Sequence, residues 1–108
     1  MPKYLIQGSY TDQGWKGVLK EGGSKRREAA EQAIKGMGGR LEAYYYAFGA
    51  DDFVTIVDLP SNVDAAALLL AISASGAVKP RTTVLITPDE ADEATKKVQT
   101  VKYRPPGQ

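Results

Sequence analysis

The strongest pattern of apolar and polar positions runs from Gly39 to Pro60, where two runs rich in aromatic and β-branched residues flank Gly49-Ala50-Asp51-Asp52. Runs of that kind around a Gly/Asp turn predict a β-hairpin. With the turn centred on Ala50 and Asp51, Phe48 is expected opposite Phe53, Tyr46 opposite Thr55, Tyr45 opposite Ile56 and Ala43 opposite Asp58. Side chains alternate across a strand, so one face shows Tyr44, Tyr46, Phe48, Phe53, Val57 and Leu59. The other shows Leu41, Tyr45, Val54 and Ile56, with the small Ala43 and Ala47 and the carboxylate of Asp58. Neither face is polar, and such a sheet needs cover on both sides.

The remaining elements follow in order. Tyr4, Ile6, Gly8 and Tyr10 alternate with Leu5, Gln7 and Ser9, a first strand with a half-polar second face. Thr11 is placed to cap a short helical turn through Trp15, Val18 and Leu19, which Gly22-Gly23 interrupts. From Ser24 a longer helix presents Ala29, Ala30, Ala33, Ile34 and Met37 on one face and stops at Gly38-Gly39. After the hairpin, Ser61 with Asp64 three residues on starts a second long helix that runs to Gly76. Val63, Ala66, Ala67, Leu70, Ala71 and Ala74 form its helical stripe, while Leu68, Leu69 and Ile72 add apolar surface outside it. A helix apolar over most of its circumference is expected to be buried on more than one side. Val78 to Thr87 reads as the last strand, with Pro80 near its start. Thr87-Pro88-Asp89-Glu90 then opens a short polar helix ending at Lys96-Lys97, and Val98 to Gln108 is an extended tail lying over the body or across a partner.

Strand, helix, strand, strand, helix, strand is the order of the ferredoxin-like βαββαβ sandwich, an α+β fold with an antiparallel sheet and both long helices on one face. Residues 1–97 make a single domain and 98–108 the tail. The bare sheet face is expected to meet the same face of a second subunit, closing a dimeric α/β barrel.

Composition narrows the chemistry. The chain lacks both His and Cys, which removes the commonest general base, thiol nucleophiles and the usual zinc, copper and haem ligands. No cofactor and no metal site are therefore expected, and catalysis would fall to carboxylates, Tyr, Lys or Arg. A net charge of +1 offers no field to attract nucleic acid or anionic lipid. The longest apolar run, Ala65 to Ile72, is far short of a membrane span, so a cytoplasmic location with no membrane partner is expected.

The stretches MPKYLIQGSYT, GRLEAYYYAFGADDFVTIVDLP, TTVLITPDEADEATKK and the closing YRPPG resemble the GYD domain proteins, small bacterial members of the dimeric α/β barrels. Gly49 and Asp52 match the namesake motif, while Asp51 stands where the motif has Tyr. The resemblance implies the ferredoxin-like fold and a homodimer or higher assembly, and carries no settled activity. Relatives among the dimeric barrels include isomerases, cofactor-free and haem-handling oxygenases and ligand-sensing domains.

Three local features have simple structural readings. Gly49-Ala50-Asp51-Asp52 holds two carboxylates that could bind a hard cation, but turn chemistry alone accounts for them. Gly22-Gly23-Ser24-Lys25-Arg26-Arg27 places glycines and basic residues at a helix start without the spacing of a phosphate-binding loop. Tyr44-Tyr45-Tyr46 could stack on bases, yet alternation sends its members to opposite faces.

The more informative set comes from laying the strands side by side. Asp58 would be costly in an aliphatic core, which turns its face towards the partner. Gln7, Ser9, Tyr45, Asp58, Arg81 and Thr83 then converge in an apolar cleft beside Ala43 and Ala47, a candidate small-molecule pocket. The competing reading is an interface in which Asp58 and Arg81 form an ion pair. Two function classes stay open. One is a small-molecule-binding or assembly domain. The other is a cofactor-independent enzyme in which Asp58, its pKa raised by a dry cleft, acts as base with Tyr45 or Arg81 stabilising the anion. No residue is assigned as catalytic.

Overall fold

The computed structural model describes all 108 residues. Strand β1 (Lys3–Tyr10) buries Tyr4, Ile6 and Gly8, the inward half of its alternation. Thr11 caps helix α1 (Asp12–Glu21), its side chain accepting from the Gly14 amide. Gly22 then adopts φ 85° and turns the chain into helix α2 (Gly23–Gly36). That left-handed conformation is why a glycine divides what would otherwise be one helix. Strands β2 (Arg40–Tyr46) and β3 (Phe53–Asp58) follow, then helix α3 (Asn62–Ala74), strand β4 (Val78–Leu85), helix α4 (Pro88–Lys97) and a 3₁₀ turn over Val98–Thr100.

The fold is α+β. Its sheet runs β2-β3-β1-β4 with every neighbouring pair antiparallel, the order that two interleaved βαβ units give. Helices α1, α2 and α3 share one face of this open sheet. The core lies beneath them and consists of Tyr4, Ile6, Ile34, Leu41, Phe53, Val57, Leu59 and Ala65. No helix is long and apolar enough to cross a membrane.

The hairpin forms, but in a different register. Tyr46 faces Phe53, Tyr45 faces Val54, Tyr44 faces Thr55 and Ala43 faces Ile56, two positions away from the expected pairing. The cause lies in the connection, where Asp52 is tied to β1 instead of closing a tight turn. Its amide donates to the Gly8 carbonyl at 2.8 Å and its carboxylate accepts from the Tyr10 amide at 3.0 Å. The Ala47 amide donates to the Asp52 carbonyl at 2.8 Å and carries this register one step further, and Phe48, expected opposite Phe53, is left in the loop and 98% exposed. A slip of two residues keeps each side chain on its own face. A bulge between Leu41 and Ala43 does not: it places Leu41 opposite Val57 and buries it under the helices, on the opposite side from that expected.

Helix α3 is rotated relative to its expected stripe. Ala65 is buried and Leu68, Leu69 and Ile72 face the sheet, while Val63, Ala66, Ala67, Leu70 and Ala74 face outwards. Both sets keep helical spacing, and the larger side chains take the core because they bury more apolar area.

Asp58 ends β3 and is buried, with 7% of its surface exposed, yet Arg81 is not its partner. Lys3 donates to Asp58 Oδ1 at 2.9 Å, and the Arg40 guanidinium donates to Oδ2 at 3.3 Å. The register explains this, since Asp58 sits opposite Lys3 and Arg81 opposite Gln7. Four residues along β1 amount to about 13 Å. Arg81 instead pairs with Asp51 at 2.6 Å.

The Lys3 hydrogen bond, more than the Arg40 contact, holds the Asp58 carboxyl below its usual 3.8 against the opposing effect of burial. A lowered carboxyl adds stability that is complete above its usual value and is lost as the pH falls through the lowered one. Asp58→Asn is therefore expected to cost about 1–3 kcal/mol at neutral pH. It should also flatten the acid limb of the stability curve, which denaturant melts between pH 2 and 7 would measure.

Candidate functional site

Helix α2 packs over β2 and helix α3 over β4, and the two do not close over the centre of the sheet. The reason is side-chain size. Towards this gap α2 presents Ala29, Ala30 and Ala33, and α3 presents Ala71 beside Leu68 and Ile72. Alanines are too short to reach across, so they line a cavity of about 570 Å³ whose floor is Ile6, Phe53, Thr55 and Val57. That is the size and character of a pocket for a small organic molecule.

One end of the cavity is aromatic and polar. Tyr10 and Tyr44 line it, and their hydroxyls lie 3.0 Å apart in a hydrogen bond. Tyr10 is wedged between Trp15 and Phe53, with ring centroids at 4.9 and 5.3 Å. Tyr44 meets Tyr46 edge-on at 5.5 Å, and the Tyr46 hydroxyl donates to the Gly23 carbonyl at 3.2 Å. These rings brace one another, which fixes the hydroxyls in place. Arg26 and Glu21 stand at the rim, 3.5 Å apart.

Burial is the main cause that pushes the Tyr44 and Tyr46 phenols up to about 12, aided at Tyr44 by its hydrogen bond with Tyr10 and at Tyr46 by the neighbouring Tyr44 phenol, and Tyr10 is raised chiefly by its own burial. The Arg26 charge opposes all three shifts without overcoming them. At neutral pH the cluster is therefore a set of neutral donors. Two hydroxyls sharing one hydrogen bond use one of their two protons, so one O–H remains for an acceptor brought into the cavity. The other polar group on the floor is committed, since Thr55 Oγ1 donates to the Ile6 carbonyl at 2.8 Å.

The residues picked out from the sequence lie elsewhere, on the sheet face away from the helices. Register sets them in rows: Tyr45, Val54, Gln7 and Arg81 in one, then Ala43, Ile56, Leu5 and Thr83, then Arg40, Asp58, Lys3 and Leu85. Ser9 sits beyond the first row, opposite Lys79. Gln7 and Arg81 are thus neighbours, Tyr45 stands in the same row on the opposite edge strand, Thr83 is one row away and Asp58 two. The face is open, with no cavity among these residues. Asp58 has a lowered pKa, which is the reverse of what a carboxylate acting as base in a dry cleft would show.

In the loop, Asp52 anchors the hairpin to β1, Asp51 binds Arg81, and no group of three acidic side chains is placed to hold a metal ion. Sequence reasoning missed the cavity, although its signal was present in the run of alanines on faces assigned to a packed core.

A family model described as GYD domain matches residues 4–95. Comparison with curated proteins and with solved structures finds no match.

The raised phenols predict the alkaline behaviour. A group whose proton is held more tightly in the folded state adds stability below its usual value, here 10.0, and loses it as the pH rises through the raised one. Stability should be flat across neutral pH and fall from about pH 10 upwards. Ultraviolet titration should show Tyr44 and Tyr46 ionising near 12, and Tyr44→Phe should remove one late phenol from the curve.

Proposed function

The chain belongs to the GYD domain family, and from that premise we propose that it binds a small, mainly apolar molecule in the cavity between its sheet and helices. The observation that carries this reading is an alanine-lined space of about 570 Å³ ending at a hydroxyl pair with one proton to spare. Its chemistry suits an aromatic or alicyclic body bearing one acceptor oxygen, with the body against Phe53, Ile72 and the alanines and the oxygen at Tyr10 and Tyr44. Carbonyl and carboxylate groups both meet that description, and Arg26 at the rim favours the latter.

Binding is favoured over turnover because the cavity supplies donors and lacks a base. The one carboxylate lining it, Glu21, is engaged by Arg26. A cofactor-independent enzyme would have only the phenols with which to polarise a carbonyl.

We propose further that the open sheet face pairs with that of a second copy to form a dimeric α/β barrel. Leu5, Val54 and Ile56 run down the middle of this face, and no helix of the chain covers them. The rows around them end in groups suited to an interface rim: Tyr45, Gln7 and Arg81 at one end, the Lys3–Asp58–Arg40 cluster at the other. Burying such a strip is the ordinary way for a two-sided sheet to exclude water.

For the ligand, a thermal-shift screen of aromatic and alicyclic acids and ketones should find compounds that raise the melting temperature. Ala33→Phe, which fills the cavity, should abolish the shift without lowering basal stability. Tyr44→Phe should weaken binding by about 1 kcal/mol, roughly fivefold. A screen without hits, unchanged in Ala33→Phe, would discard the reading. For the assembly, light scattering at micromolar concentration should report a dimer, and Ile56→Glu should yield a folded monomer. A wild-type monomer of normal stability would contradict the pairing.

A further inference from the structure

The last segment of the chain is well formed but contributes nothing to its own core. Helix α4 is ten residues long and carries a complete capping box at Thr87 and Glu90, yet it has no buried residue. From Ile86 to Gln108 only Ala91 is even half-buried. The radius of gyration is accordingly 17.1 Å with a longest extent of 56 Å, against about 13 Å for a compact chain of this length. A helix this short is marginal in water unless something packs on it. Its own chain supplies nothing.

Ala91, Ala94, Val98 and Val101 recur along this arm at helical spacing, and Val98 and Val101 are 65% and 63% exposed. A second uncovered strip lies on α3, where Val63 and Leu70 are 78% and 71% exposed. The two strips match in kind. Neither contains a charge, and the single charged residue of α3, Asp64, is tied to Ser61 at the helix start. Exposed apolar helix faces of this sort mark places where another element docks.

We infer that the arm Ile86–Gln108 of one copy packs on the outer face of α3 of a second copy, each arm crossing to the other in a closed, reciprocal exchange. In this structure the arm leads away from its own body, not back over it. Only Ile86 and Thr87 separate β4 from α4. The Thr87 amide and hydroxyl are both held by Glu90, at 3.0 and 3.1 Å. With that cap in place, α4 is not packed on the α3 of its own chain. Projected away from its body, the arm has about 15 Å of helix and a further eight-residue tail with which to reach a neighbour. The inference does not rest on the ligand reading and adds a contact separate from the sheet-face pairing.

Hydrogen exchange on the intact protein reads the arm directly. Amides of α4 should exchange at least about tenfold more slowly than in an unstructured chain. That protection should vanish in Leu70→Glu, and equally in Val98→Glu, while β1 and β3 keep theirs. Leu70 is outside the sheet interface, so Leu70→Glu should free the arm and leave the mass that of a dimer; loss of the sheet pairing is read separately in Ile56→Glu. Exchange between copies is read by mixing, because the natural chain has no cysteine. A size-tagged Leu70→Cys chain and an untagged Val98→Cys chain, refolded together, should be joined by a short bis-maleimide into the mixed pair. An unprotected arm, protection that survives Leu70→Glu, or the absence of the mixed pair when a chain carrying both Leu70→Cys and Val98→Cys links within itself would each overturn the inference.

Discussion

Strands β1 and β3 lie at the centre of the sheet with apolar side chains on both surfaces, and the rest of the structure answers that constraint. On one surface Tyr4, Ile6, Phe53 and Val57 are covered by helices. On the other, Leu5, Val54 and Ile56 have no cover within the chain. A two-sided central pair makes register decisive, because a slip of one residue would exchange the two surfaces. The protein pins that register from both ends. Asp52 fastens the loop end of β3 to Gly8 and Tyr10, and Asp58 fastens the other end to Lys3. Two aspartates at opposite ends of one strand thus hold the sheet in line, and each is satisfied by donors that only this register supplies.

Much of this architecture was legible in the sequence, because alternation and capping residues act locally. The strands, the Thr11, Ser61 and Thr87 caps and the break at the paired glycines all follow from short-range rules. What could not be read was set by contacts between distant segments. The hairpin register depended on Asp52 reaching β1, and the side of Leu41 depended on a bulge that alternation cannot show. For α3, an apolar sequence around the whole circumference offers two equally spaced stripes, and only the size of Leu68, Leu69 and Ile72 selects between them. Asp58 was placed on the correct surface and given the wrong partner for the same reason. Its surface follows from parity, whereas its neighbour follows from how far β1 has been offset against β3 and β4.

The cavity illustrates a further limit. Ala29, Ala30, Ala33 and Ala71 fit an inward helix face as well as Leu or Ile would in a polarity pattern, but they fill far less space. A pattern records which side chains avoid water and says nothing of the volume between them. Close packing is the norm in protein interiors, so a row of alanines on facing helices has to be resolved either by closer approach of the helices or by an opening. Here α2 and α3 are seated on strands at opposite edges of the sheet, β2 and β4, which keeps them apart. The opening is therefore a consequence of strand order combined with residue size.

The same opening explains why the tyrosines behave as they do. Tyr10 and Tyr44 sit at the junction between an apolar cavity and the chain break at Gly22, where backbone carbonyls such as that of Gly23 are within reach of a phenol. Desolvation raises the cost of a phenolate there, and the Arg26 charge at the rim is too weakly coupled to offset it. A phenol that stays neutral across the physiological range donates without exchanging protons, which suits recognition of an acceptor better than acid–base turnover. Arg26 holds Glu21 through one guanidinium nitrogen, so its remaining donors can meet an incoming anion while that ion pair stays in place. Selectivity in such a site would come from shape, through the alanine walls, and from one oriented hydroxyl, with charge deciding only between acceptors of similar size.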